Sequence, residues 1–480
     1  MRAIGGDRRV LVVAILASFV AFLDGSVVNL ALPAMARDLH GGLALQQWIV
    51  DSYLLTLGAL ILVAGSISDV FGRVPVLRWG LIAFGVGSAL AAAAPSGLVL
   101  VTARLIQGAG AAFLVPSSLA LINSTFTQDD QPRAVGVWTA WTGTAFVLGP
   151  LLGGLAVDFL NWRWIFILSA VPVVATFVLS TGLTTDEPHA SGSHVDRPGA
   201  VLAAAGLAAT VFALIEMQRL GLSHPAVATS LGAGLTSLAA FVWWEFRTAH
   251  PMLPVHLFGI RNFGVGNLAT AFVYAGLSIG MLIVSLFLQE VAGFGATEAG
   301  IATLPLPILS FLLAARVGAL AARFGPRLFM ASGPLIAAAG FVLMRPEAGH
   351  FDFWWQMLPA LVLFGLGMTI TVTPLTSAVL AAVDPSQSGI GSAINNAVSR
   401  IAGLIAVALA GVIAGGALDY GSFRRLTLAA ATLFVIGGVV SAIGIRNPAK
   451  PTKPVAAEAI AQCRDRPAAP PGGYAARSTG

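Results

Sequence analysis

The chain contains fourteen long apolar stretches, each close to the roughly 20 residues that a helix needs to cross a bilayer core. In lipid, every backbone polar group of a spanning segment must be hydrogen-bonded within that segment. The sequence therefore predicts fourteen transmembrane helices, at residues 10–32, 45–66, 76–94, 98–122, 134–156, 164–183, 199–216, 226–244, 264–289, 298–321, 328–345, 355–382, 390–416 and 425–445.

Composition agrees with an all-α polytopic membrane protein, since 57% of residues are hydrophobic and 10% are charged. The net charge of +5 does not indicate a nucleic-acid partner, because the basic residues lie in short loops and in the tail. Their excess on one side of the predicted membrane places both termini in the cytoplasm. The first apolar run continues past Asp24 without a cleavage site, so we expect a retained helix rather than a signal peptide.

A short loop sequence occurs twice. Phe71-Gly72-Arg73 follows the second stretch, and Phe324-Gly325-Pro326-Arg327 follows the tenth. This repeat predicts two related halves in a layout of six, two and six spans. The predicted parts are a six-helix bundle at 1–183, a linker with two extra spans at 184–250, a six-helix bundle at 251–446 and a disordered cytoplasmic tail at 447–480.

The loop after the second span carries Gly65, Asp69, Gly72 and Arg73. Glycines allow a tight turn there, and the two charges could latch one conformation; a plain polar turn is the alternative. These four residues resemble the signature loop of the major facilitator superfamily. Val70 stands where that pattern has a basic residue, so part of the family's charge network is missing.

Further segments resemble the fourteen-span drug:proton antiporter branch of that superfamily: Leu23 to Pro33, Trp48 to Tyr53, Arg104 to Gly108, Gly143 to Gly154, and Asn161 to Phe166. The resemblance covers about residues 8–445. In the fifth span, Gly149, Pro150, Gly153 and Gly154 would let helices approach closely and bend, which could seal a cavity against ion leak, although small residues also serve ordinary helix packing.

Three ionisable residues, Asp24, Asp51 and Arg104, lie at similar depth inside predicted spans, where a charge costs at least ~2.5 kcal/mol. Our hypothesis assigns Asp24 as the principal proton-coupling carboxylate, Arg104 as the residue that modulates its pKa, and Asp51 as an auxiliary acid. The alternative for Asp24 is a static ion pair that fixes helix register, and the alternative for Asp51 is hydration at the membrane–water interface.

Seven residues are candidates for a substrate cavity, because rings can stack on flat or cationic compounds and polar side chains can orient them. These residues are Trp138, Trp141, Phe146, Tyr274, Asn395, Asn396 and Arg400. Packing or contact with lipid is the alternative for each ring.

The resemblance implies a proton-coupled antiporter that exports small amphiphilic or drug-like compounds by alternating access. A transporter of narrow specificity for one metabolite or antibiotic is the alternative; a membrane enzyme or sensor is a third. No cluster of catalytic residues, metal-ligand spacing or nucleotide-binding loop is visible, so we expect no enzyme activity, metal or cofactor. We expect a bacterial inner-membrane protein whose partners are substrate, protons and lipid, and for which a monomer suffices.

Overall fold

The computed structural model describes residues 3–126, 130–183, 195–249, 251–384, 387–416 and 418–447. Helices α1 to α9 precede the second half. They are α1 (Ala3–Asp38), α2 (Leu43–Phe71), α3 (Arg73–Ala92), α4 (Gly97–Thr125), α5 (Gln131–Gly143), α6 (Ala145–Phe159), α7 (Trp164–Ser180), α8 (Arg197–Leu220) and α9 (Pro225–Glu245).

The second half begins with a short 3-10 helix (Val255–Gly259), and a π-helical turn (Phe287–Val291) extends its first long helix. Its α-helices are α10 (Arg261–Leu286), α11 (Ala296–Ala302), α12 (Pro305–Phe324), α13 (Pro326–Leu343), α14 (Phe353–Gln356), α15 (Leu358–Leu380), α16 (Ser388–Ala414) and α17 (Tyr420–Gly444).

These helices form fourteen apolar spans, one for each predicted stretch. Thirteen are long and apolar enough to cross a membrane, and the seventeen-residue α7 is the fourteenth. Helices α5 and α6 form one broken span, as do α11 with α12 and α14 with α15. The all-α polytopic fold predicted from the sequence is confirmed. Residues 184–194 of the predicted linker and residues 448–480 of the predicted tail lie outside the described residues.

The repeated loops adopt the same backbone conformation. Gly72 is the single residue between α2 and α3, with φ 88° and ψ 145°, and Gly325 is the single residue between α12 and α13, with φ 87° and ψ 150°. Positive φ suits glycine because a Cβ would clash with the backbone. The next helix pair also repeats, since Gly110 packs on Gly80 and Gly367 packs on Gly333.

Residues 1–445 form one compact unit. The first six spans meet the last six where α2 packs along α16, α6 packs on α11, and α1 crosses α10. Helix α8 packs against both α2 and α16, while α9 packs on α8. We call the end of the bundle that carries the α1 to α2 connection the first face, and the end that carries Gly72 and Gly325 the second face.

Candidate functional site

A buried ion pair lies in the centre of the first six spans. Arg104 in α4 donates from Nη1 to Asp24 Oδ2 in α1 over 2.6 Å, and the two side chains are 2% and 0% exposed. Removing two charges from water costs several kcal/mol for each, so such a pair persists only with good geometry and further hydrogen bonds. Asp24 Oδ1 is buried without a hydrogen-bond partner. The site therefore retains an unoccupied acceptor on its carboxylate.

Neighbouring groups hold the guanidinium in place. Arg104 Nε donates to the carbonyl of Ile49 in α2 over 3.1 Å, and Nη1 also donates to Gln107 Oε1 over 3.0 Å. Gln107 in turn donates to Ser88 in α3 over 2.7 Å. The Arg104 guanidinium carbon lies 4.3 Å from the centre of the Tyr53 ring, in a cation-π contact.

Sequence reasoning did not assign a role to Gln107, Ser88 or Tyr53. Gln107 follows Arg104 by one helical turn, so its spacing was the available signal. The other two reach the site from separate helices, and nothing in the sequence indicates their proximity.

Asp51 lies in α2 and is also fully buried, and neither of its carboxylate oxygens has a hydrogen-bond partner. On the same face of α2, Gln47 donates to the carbonyl of Val407, and Gly58 packs on Ile401. Helical periodicity therefore turns Asp51 toward α16 in the second half. The structure pairs Arg104 with Asp24 and leaves Asp51 outside that network.

A cavity of about 50 Å³ lies between the two halves, two residues along α1 from Asp24. Its walls come from α1, α6, α10 and α12 and from the turn between α11 and α12, so both halves contribute. The lining residues are Ser26, Asn29, Leu30, Phe146, Pro150, Met281, Ser285, Thr303, Leu306 and Pro307. Its apolar walls carry a few hydroxyl and amide groups, as sites for small organic molecules do, but in this closed state its volume is far below the roughly 300–1,000 Å³ of such sites.

Three glycines of α6 in the fifth span lie at close helix contacts. A Cβ on Gly149 would overlap the Ser26 hydroxyl, and one on Gly153 would stand 2.6 Å from Val27 Cγ2, both in α1. A Cβ on Gly154 would stand 2.5 Å from the Cα of Thr297 in α11. The span thus packs tightly on α1 and on the second half.

Hydrogen bonds between the halves cluster toward the first face. Among the described residues, they join Gln46 to Glu290, Gln47 to the carbonyls of Val407 and Ala408, Ser285 to the carbonyl of Asn29, and Asp158 to the amides of Ala296 and Thr297. All lie between the depth of Asp24 and the first face. The structure is therefore closed on that side of the ion pair.

The candidate cavity rings occupy different environments. Trp138 is buried and donates to Ser18 over 3.1 Å, so it packs within the first half. Phe146 lines the cavity and lies 5.6 Å from the Phe22 ring, centre to centre. Trp141 is 61% exposed, and Tyr274 is partly buried against apolar core residues of the second half.

The polar candidates lie on α16. Asn395 donates to Thr270 over 2.8 Å and to Asn267 over 3.1 Å, which ties α16 to α10. Asn396 is partly buried. Arg400 packs against Gly58 of α2, and its Nε is buried without a hydrogen-bond partner. Arg400 therefore carries a polar atom that faces the contact between the halves.

In the signature loop, Arg73 Nη1 donates to the carbonyl of Ala120 in α4 over 3.1 Å. This contact ties the start of α3 to α4. Gly65 has open space where a Cβ would stand. The side chain of Asp69 lies outside the part that the structure describes. The described residues hold no group of three or more His, Cys, Asp or Glu side chains that could bind a metal ion.

The described part of the chain combines fourteen apolar spans, a cavity lined by both halves and a buried ion pair beside that cavity. This combination defines a polytopic membrane transporter. The chain belongs to the Major Facilitator Superfamily, whose model matches residues 14–407. The membership expected from the sequence motifs is confirmed.

Several relatives with known roles cover most of the chain. The puromycin resistance protein pur8 of Streptomyces alboniger is 34% identical over 85% of this chain and 82% of its own length. The cephamycin export protein CmcT of Amycolatopsis lactamdurans is 32% identical over 92% of each chain. The multidrug efflux pump LfrA of Mycolicibacterium smegmatis is 31% identical over 82% of this chain and 77% of its own length.

Solved structures share the fold at low identity. An auto-inhibited peptide transporter of the POT family superposes with a TM-score of 0.68 and 17% identity, over 93% of this chain and 99% of that chain. The inward-open xylose transporter XylE of Escherichia coli superposes with a TM-score of 0.63 and 14% identity, over 93% and 98%. These likenesses establish the fold.

Proposed function

We propose that this transporter is a proton-coupled antiporter that exports small amphiphilic, drug-like compounds by alternating access. The buried pair of Asp24 and Arg104 beside a cavity shared by both halves is the observation that carries the proposal. An ionisable pair at this depth is costly in a membrane protein, and for that reason it supports a functional role in transport. Relatives named for antibiotic resistance, drug efflux or antibiotic export support the direction of transport.

The coupling step proceeds through the network around Arg104. A proton that reaches Asp24 neutralises the carboxylate and removes the charge that holds Arg104 Nη1. The guanidinium keeps Ile49 and Gln107 as acceptors, so it stays solvated by protein groups while α1 is released from α4. The free Oδ1 of Asp24 is the position at which the proton binds.

Alternating access requires one face to be sealed at a time. With the N-terminus in the cytoplasm, the sealed first face is the external one, and Gly149, Pro150, Gly153 and Gly154 hold that seal. The cavity then loads from the cytoplasm while Asp24 is paired. Asp51, next to the contact between α2 and α16, serves as the auxiliary acid when that contact opens.

The two six-helix bundles, 1–183 and 251–446, are the moving units, and 184–250 joins them. One chain holds both halves, so a monomer suffices. The organisms of the relatives support a bacterial protein. The excess of basic residues in the predicted cytoplasmic segments supports an inner (plasma) membrane protein with both termini in the cytoplasm.

The test is efflux of a panel of lipophilic cations and antibiotics by everted vesicles, with and without a protonophore. Asp24→Asn is compared with Asp38→Asn at matched membrane levels, because Asp38 is another α1 carboxylate with an arginine partner but its side chain is 46% exposed. Protonophore-sensitive efflux should be lost only in Asp24→Asn. Full proton-driven efflux by a well-folded Asp24→Asn protein would remove Asp24 from the coupling mechanism.

A narrow-specificity exporter is the second candidate. It is favoured by relatives named for single antibiotics, such as pur8 and the methylenomycin A resistance protein of Bacillus subtilis, which is 34% identical over 84% of this chain. In the same assay, transport of one chemical class that no other panel member inhibits would support this candidate over broad drug export.

A further inference from the structure

Two acidic side chains meet at the second face, at the ends of the extra helices and far from Asp24. Asp196 caps the start of α8 and is 8% exposed, and Glu245 ends α9 and is 3% exposed. Burial of two carboxylates at one place is costly, because each loses hydration and the two charges repel. The arrangement therefore calls for a compensating group.

The hydrogen bonds leave one pair of oxygens facing each other. Asp196 Oδ1 accepts from the Gly199 amide and from Trp244 Nε1, each over 2.9 Å, and Asp196 Oδ2 accepts a longer bond from the same Nε1 over 3.2 Å. Glu245 Oε2 accepts from the Leu253 amide over 2.9 Å, while its Oε1 is buried without a partner. A Cβ on Gly199 would overlap both Asp196 Oδ2 and Glu245 Oε1, so these two oxygens flank the same point.

A described basic residue within ion-pairing distance could neutralise the pair. Among the residues that the structure describes, neither carboxylate forms an ion pair. Arg197, Arg247 and His256 follow on the packed elements, but all three are exposed, and Arg247 lies over the Trp243 ring. The end of α2 contributes apolar Val63 and Ile67 to this contact. Two further residues lie outside the described part of the chain: His250, and Asp69 as far as its side chain is concerned.

We propose that Asp196 and Glu245 bind one shared proton and form a clasp that fastens the connector between α9 and α10 to the second face. The proton bridges Oδ2 of one carboxyl group and Oε1 of the other, as one oxygen donates and the other accepts. Loss of that proton leaves two adjacent buried anions, which repel and release Glu245 from Leu253.

The clasp acts on the part of the fold that must move. Leu253 precedes the 3-10 helix that leads into α10, and Met252 packs with Val63 of α2, a few residues before the Gly72 turn. A rise in pH on the second face, the cytoplasmic side in the predicted orientation, therefore loosens the connector between the halves. This site is separate from Asp24 and from the substrate cavity, so it does not depend on the proposed export function.

The test uses the full-length protein in lipid nanodiscs. Glu245→Gln and Asp196→Asn each replace the shared proton by a permanent N–H donor of similar shape, and asparagine also keeps the helix cap. The rate of amide hydrogen exchange at residues 195–199 and 251–256 is measured in each variant and in wild type at the same pH. The ratio of the two rates is used, so that the intrinsic pH dependence of exchange cancels. For Glu245→Gln and Asp196→Asn, the ratio of the wild-type rate to the variant rate should rise with pH. In Glu245→Ala, the same residues should exchange fast at every pH.

Glu216→Gln is the matched control, since Glu216 is a carboxylate at the other end of α8 that binds Trp48 and Arg219. The hydrogen-exchange rates of Glu216→Gln should equal those of wild type at each pH. Infrared spectra supply a second readout: wild type at low pH should show a protonated carboxyl band that is weaker in both Glu245→Gln and Asp196→Asn. Identical pH dependence of exchange in wild type and Glu245→Gln, or an unchanged band, would overturn the proposal.

Discussion

The contact of α6 with α11 can be tested by a single methyl group. In Gly154→Ala, the new Cβ would stand 2.5 Å from Thr297 Cα and 2.8 Å from the Ala296 carbonyl oxygen. Both neighbours are backbone atoms that Asp158 holds through the amides of the same two residues. The overlap can therefore be relieved only by separation of the helices, which weakens the seal at the first face.

Overpacking of this kind costs about 1–3 kcal/mol. The strain exists only while the first face is closed, so it shifts the equilibrium toward opening at that face by roughly 5- to 150-fold. The same change at Gly143 provides a control on the same span, because no heavy atom lies within 4 Å of its new Cβ.

The assay is the rate at which a membrane-impermeant thiol reagent labels a cysteine in place of Asn29, which lines the cavity. The chain has one native cysteine, Cys463, and Cys463→Ser provides the background. Right-side-out vesicles expose the first face in the predicted orientation. Labelling should accelerate in Gly154→Ala by the factor above and stay unchanged in Gly143→Ala. Equal labelling rates in the two variants would refute the assignment of Gly154 to the seal.

Three further predictions concern the ion pair and the repeated turn. Asp24→Asn should fold and sort normally but lose proton-driven efflux, whereas Asp38→Asn should keep it and lose at most about 1 kcal/mol of stability, because exposed pairs contribute little. Arg104→Ala should lower the free energy of unfolding by about 3–5 kcal/mol, seen as a lower melting temperature in detergent, since it leaves a buried carboxylate unpaired. Gly72→Ala and Gly325→Ala should each cost about 1–3 kcal/mol, because both glycines combine a positive φ with an extended ψ, a region essentially restricted to glycine. A melting temperature equal to that of wild type in either variant would contradict this reasoning.

Much of the helical framework was predictable from the sequence. Each predicted span corresponds to an apolar segment of the structure, and the repeated Phe-Gly loops form turns of equal geometry. The break of the fifth span at Thr144 was not predicted, although Pro150 and the surrounding glycines indicated a bend. Hydropathy measures whether a segment can cross a bilayer, and it carries no information on small interruptions within one.

Only part of the candidate site could be predicted from the sequence. Depth along each helix placed Asp24, Asp51 and Arg104 at one level, but depth does not determine which side of a helix faces which neighbour. The structure pairs Arg104 with Asp24 and turns Asp51 toward α16. The roles of all three in coupling remain predictions, as do those of the candidate cavity residues.

The sequence by itself determined which segments cross the membrane and where the chain turns, because the hydrogen-bonding requirement of a bilayer acts on each segment separately. Only the tertiary structure decided that Arg104 meets Asp24 and Gln107 meets Ser88, that Gly154 packs against Thr297, and that Asp196 lies beside Glu245. These contacts depend on the rotation and neighbours of each helix, which follow from the packing of all fourteen spans together.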